Sequence, residues 1–155
     1  MSDRAHLSVA GRALVRVLLA ALALLVLAGC GGAVRVDPPS PQGAAVRSCR
    51  TLDGRLPRTL DGAERVPSEP PSPYVAVWGD AEIALRCGVP RPAGMDPQQQ
   101  VTEVDGVPWY NDPARPALFT ALAGDGYVEV TISARHQPAG VLVDLAAPIK
   151  AAFGG

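Results

Sequence analysis

An uninterrupted apolar run, Val17 to Ala28, preceded by Arg4, Arg12 and Arg16, decides how much of this chain can take part in folding. As a helix its twelve residues span only about 18 Å, short of a hydrocarbon core of roughly 30 Å. That length suits the apolar region of a cleavable export signal, with the arginines held on the cytoplasmic side. The arginines are isolated rather than twinned, which favours the general secretory route. Residues 1–29 are therefore read as a signal segment and set aside.

The run ends in Leu27-Ala28-Gly29-Cys30. An aliphatic residue, two small residues and a cysteine resemble the lipobox of bacterial lipoproteins. That resemblance implies cleavage before Cys30, lipid on its thiol, and attachment to the outer face of the cell membrane. Stable anchoring takes two lipid signals, because a single acyl chain binds only marginally. An ordinary signal peptide with a coincidental cysteine, or an uncleaved membrane helix, is the blander reading.

The chain has three cysteines, one too many for pairing in an exported protein. If Cys30 carries lipid, Cys49 and Cys87 remain as one disulfide in an oxidising compartment. The bridge closes a loop of about 38 residues, worth roughly 4 kcal/mol in the chain-entropy model. A redox or metal-binding pair would call for Cys-x-x-Cys spacing or further ligands.

Of 14 basic and 15 acidic side chains, cleavage removes Arg4, Arg12, Arg16 and Asp3, leaving a mildly acidic domain. Such a balance supplies neither the basic stripe of a nucleic-acid binder nor a polybasic membrane patch. The basic residues are all arginine except Lys150. With the Ala, Gly and Pro richness this points to a GC-rich genome, as in an actinobacterium.

Residues 30–43 read as the lipidated cysteine and a Pro-rich extended tether, some 40 Å long at about 3 Å per residue. Val34-Arg35-Val36 offers an alternative, a short strand added to the domain. Residues 44–155 form that domain. Residues 44–52 carry apolar Ala45, Val46, Cys49 and Leu52 near helical spacing and predict a short helix, and residues 54–73 read as surface loop. Tyr74–Trp78 and Glu82–Cys87 flank Gly79-Asp80-Ala81 as a hairpin. Val101–Val104 and Val107–Tyr110 flank Asp105-Gly106, a dipeptide suited to tight hairpin turns, and Pro108 places the second of these strands at an edge. Leu118–Ala123 and Tyr127–Ser133 flank Gly124-Asp125-Gly126. Val141 to Phe153 predicts a helix with Leu142, Leu145, Ile149 and Phe153 on one stripe, although Pro148 also allows a strand followed by a shorter helix. The expected fold is a single small α+β domain: a mainly antiparallel sheet of about five or six strands, two helices and one disulfide.

Residues that could carry chemistry are few. After cleavage His136 is the only histidine, read as a solvated loop residue rather than a general base. A lone imidazole excludes a His-based zinc site, and Asn111-Asp112 lacks calcium-loop spacing. There is no Gly-x-Ser-x-Gly elbow, no Ser-x-x-Lys and no phosphate-binding glycine loop. Asp80/Glu82 and Glu103/Asp105 read as turn and strand-face charges. Neither catalytic residues nor a cofactor or metal are assigned. Trp78, Trp109 and Tyr110 are core residues or, together with Asp80 and Arg86, a possible contact surface with Tyr110-Asn111-Asp112 as its rim.

Ala76-Val77-Trp78-Gly79-Asp80 and Leu85-Arg86-Cys87-Gly88-Val89-Pro90 resemble a family of small actinobacterial membrane lipoproteins containing domain of unknown function 3515. Cys49 ahead of Leu56-Pro57, the segment 104–107 and Val128-Glu129-Val130 agree with it. The resemblance implies an exported envelope protein and supplies no activity. The expectation is a non-enzymatic module, lipid-anchored through Cys30, that binds or scaffolds an envelope protein. A small carboxylate-dependent hydrolase or cell-wall-modifying enzyme, and a small-ligand receptor, are the alternatives.

Overall fold

A computed structural model describes residues 32–96 and 98–154. The signal segment and the Leu27-Ala28-Gly29-Cys30 lipobox lie outside the described residues.

Among the described residues ten strands and two helices follow one another: β1 (Val34–Arg35), α1 (Ala45–Asp53), β2 (Thr59–Leu60), β3 (Ala63–Val66), β4 (Ser68–Glu69), β5 (Val75–Trp78), β6 (Ile83–Val89), β7 (Thr102–Val104), β8 (Val107–Asn111), β9 (Leu118–Ala123), β10 (Gly126–Ile132) and α2 (Pro138–Phe153). Eight strands form one antiparallel sheet in the order β2-β3-β5-β6-β10-β9-β8-β7, while β1 and β4 pair in parallel beside it. The domain is α+β as expected, with a wider sheet.

The three predicted hairpins are present. Asp105 and Gly106 both take positive φ, the conformation a two-residue turn between right-twisted strands requires. Residues 54–73, expected as loop, contain a fourth hairpin, β2–β3, turned by Asp61-Gly62 with φ of 45° and 83°. Pro108 does not mark an edge, because β7 lies outside β8. Pairing of β8 with β9 starts at Trp109↔Ala121, one residue past the proline, so its missing N–H costs that ladder nothing.

Both helices contribute to one buried cluster with one face of the sheet. Helix α1 buries Ala45, Cys49 and Leu52, and α2 buries Val141, Leu142, Leu145, Ala146 and Ile149. The strand-then-helix alternative for 141–153 gives way to one helix: Pro138 occupies its first turn, where no N–H is needed, and Pro148 is carried inside it with the loss of one backbone hydrogen bond. Cys49 and Cys87 are joined, stapling α1 to β6.

The second face of the sheet meets irregular chain. Residues 34–42, read as a tether, lie on the domain. Val34 N–H donates to the Pro67 carbonyl and Val36 N–H to that of Glu69, both at 3.0 Å. The Asp37 carbonyl accepts from Arg86 at 3.1 Å, and buried Pro41 presses against Gly88. The strand alternative for Val34–Val36 is the one observed.

Candidate functional site

Strand register assigns the side chains to faces. Trp109, Ala121, Val128 and Cys87 stand opposite one another across β8, β9, β10 and β6, and all belong to the helix-covered core. The neighbouring row, Tyr110, Thr120, Glu129 and Arg86, therefore projects from the other face.

This register corrects the proposed aromatic surface. Trp78 and Trp109 are 0% and 2% exposed in the core. The Trp78 indole donates to the Pro57 carbonyl at 3.0 Å, and the Arg65 guanidinium sits 5.9 Å from its ring centre. Trp109 Nε1 is buried with no hydrogen-bond partner. Asp80 is exposed in the β5–β6 turn. Of the five residues singled out, only Arg86 and Tyr110 share a cleft.

That cleft has a volume of about 290 Å³. Its floor is the Tyr110-Thr120-Glu129-Arg86 row, and its walls are residues 89–93 together with Asp112, Arg115 and Leu118. A bulge at Gly88, whose φ is +85°, makes the wall possible. Cys87 pairs with Val128 and Val89 with Tyr127, leaving Gly88 unpaired. The extra residue turns Val89 out of the core and into the cleft beside Arg86. A second cavity, about 610 Å³, adjoins along Arg86–Arg91 and is walled by Pro39, Ser40 and Gln42 of the N-terminal segment.

Three guanidinium groups line the cleft. Arg86 donates to Glu129 Oε1 at 3.1 Å as well as to Asp37. Arg115 donates to Asp112 Oδ2 at 2.8 Å, while Asp112 Oδ1 accepts the Ala114 N–H at 2.9 Å. Those bonds, the one from Arg115 foremost, hold the Asp112 carboxyl below the usual carboxylate range. Arg91 binds only the Met95 carbonyl, at 3.0 Å, and no carboxylate among the described residues. Tyr110 and Thr120 are each 2% exposed. Apolar walls, hydroxyls and guanidinium forks suit a ligand that carries a carboxylate or a similar anion on an apolar frame. Both carboxylates of the cleft are committed to arginines, an arrangement unsuited to a general acid.

His136 also departs from expectation. It is 9% exposed, not solvated. Its Nδ1 lies 2.9 Å from Asp61 Oδ2 and its Nε2 3.1 Å from Glu82 Oε2. Glu82 Oε1 in turn accepts from Arg135 at 2.6 Å. The hydrogen bond to Asp61 raises the histidine's pKa, burial opposes this, and Glu82 adds to the rise. Arg135 first, then His136, lowers that of Glu82. With a carboxylate on each nitrogen, the ring has no lone pair turned toward a substrate. It ties the β2–β3 turn, the β5–β6 turn and the β10–α2 connection together. Among the described residues no three His, Cys, Asp or Glu side chains converge as metal ligands. Nor is any described helix long and apolar enough to cross a membrane.

The model of a family described as protein of unknown function (DUF3515) matches residues 8–154. The chain belongs to this family. No curated protein and no solved structure matches it. The two segments that carried the resemblance to DUF3515 now have structural meaning. Trp78 fills the core, and Gly79, with φ of 62°, turns out of β5. From Arg86 to Pro90 the chain supplies an ion pair, the disulfide, the bulge and a cleft wall in succession.

Proposed function

We propose that the chain is an exported envelope lipoprotein, held to the outer face of the membrane by lipid on Cys30, whose domain binds an anionic group of an envelope partner in the Arg86–Tyr110 cleft without chemical change. The observation that carries the binding role is the row of Tyr110, Thr120, Glu129 and Arg86 on the face away from the helices, with Arg91 and Arg115 above it. The Leu27-Ala28-Gly29-Cys30 tetrad and the pairing of the other two cysteines support the anchoring. A carboxylate-dependent hydrolase fits less well, since Asp112 is engaged by Arg115 and Glu129 by Arg86.

In-cell cross-linking of the full-length protein in its host, with mass spectrometry of captured proteins, tests this reading. One envelope protein should be captured repeatedly, and capture should fall severalfold in Arg91→Glu and be lost in Cys30→Ala. Capture that is indifferent to Arg91→Glu would remove the cleft from the proposal, and membrane retention of Cys30→Ala would remove the anchor.

A further inference from the structure

The N-terminal segment that was read as a free spacer is bound along its length, and this alters where the domain stands relative to its anchor. Val34 and Val36 are hydrogen-bonded to the chain around β4, Asp37 to Arg86, and Pro41 is packed on Gly88. Only residues 31–33 separate Cys30 from the first bonded position. From Cys30 to Val34 the chain spans no more than about 14 Å even when fully extended. A polar headgroup layer is about 5–8 Å deep on each side of a bilayer. A free run through residue 43 would reach some 40 Å.

We infer that the β1–β4 pair is a membrane-apposed face, so that the domain is held against the lipid headgroups instead of being lifted clear of them. The inference rests on lipidation of Cys30. The face presents Arg35, Glu69, Pro70 and Pro71, all exposed. Its charges are mixed, so lipid attachment and the short reach hold it there rather than electrostatic attraction. Strand β4 contacts β5, and β7 closes the sheet five strands further on, roughly 24 Å away at 4.8 Å per strand. On this inference β7 stands farther from the lipid than the β1–β4 face.

The test uses full-length lipidated protein extracted from its host and reconstituted into vesicles of phosphatidylglycerol and phosphatidylethanolamine bearing a headgroup-linked acceptor dye. A genetically encoded fluorescent amino acid replaces Pro71 in one preparation and Glu103, on β7, in another. Energy transfer to the acceptor should be severalfold stronger from position 71. A flexible insertion of about a dozen residues between Ala33 and Val34 should lower transfer from 71 and bring the two positions together. Equal transfer from 71 and 103 without the insertion, or no response to it, overturns the inference while the anchor stands. Mass spectrometry showing no acyl adduct on Cys30 overturns the anchoring and the inference together.

Discussion

His136 places an imidazole between two carboxylates, and the pH dependence that follows has a definite sign. Its pKa in the folded protein is raised above 6.5. Its contribution to stability is therefore fully present below 6.5 and is lost as pH rises through the folded value. Glu82, whose pKa is lowered from 4.5, contributes above that value and loses its contribution as pH falls through the lowered one. In thermal unfolding, His136→Gln should melt a few degrees below the wild type between about pH 4.5 and 6.5, with the gap narrowing above neutrality. A gap constant across that range would mean that packing, not charge, is what His136 supplies. The sequence could not show this role, since Asp61 and Glu82 lie 75 and 54 residues before the histidine. The tryptophans were half legible. Alternation along Val107–Asn111 sends Trp109 and Tyr110 to opposite faces, but which face is core is settled only by the register of β9 and β10.

The bulge in β6 shows how one element shapes both cleft and N-terminal segment. A Cβ at Gly88 would sit 2.3 Å from Pro41 Cβ, at a φ of +85°. Gly88→Ala should cost about 2 kcal/mol or more in urea unfolding, combining left-handed backbone strain with the clash. In a Pro41→Ala background that cost should shrink toward the backbone part alone, and this coupling measures how firmly the segment is seated. Equal costs in both backgrounds would show that Pro41 does not constrain Gly88. Hairpins around Asp105-Gly106 and Gly124-Asp125 were legible because alternation and turn chemistry are both local. The β2–β3 hairpin carries the same Asp-Gly signal at Asp61-Gly62, yet strands of two and four residues, the second with Glu64 and Arg65 at its centre, offer too little alternation to read. The parallel β1–β4 ladder joins segments more than thirty residues apart, and nothing in either one announces the other.

Among the described residues one covalent tie reinforces the whole domain. The Cys49–Cys87 bond links α1 to the middle of the sheet across a sequence separation of 38. Replacing both cysteines by alanine should lower stability by roughly 4 kcal/mol, a large share of the net 5–15 kcal/mol typical of a domain. A shift in the urea midpoint equivalent to less than 1 kcal/mol would show that helix packing alone positions α1. That packing has a consequence for how the chain is born. Helix α1, which ends at Asp53, contacts α2, which begins only at Pro138. Polypeptides emerge from the ribosome amino end first. Helix α1 can therefore meet β6 first, and its apolar side is fully covered only when the sixteen-residue α2 has been delivered. Maturation is completed when α2 closes onto α1, and any nascent form short of α2 is one that a chaperone or protease can still recognise.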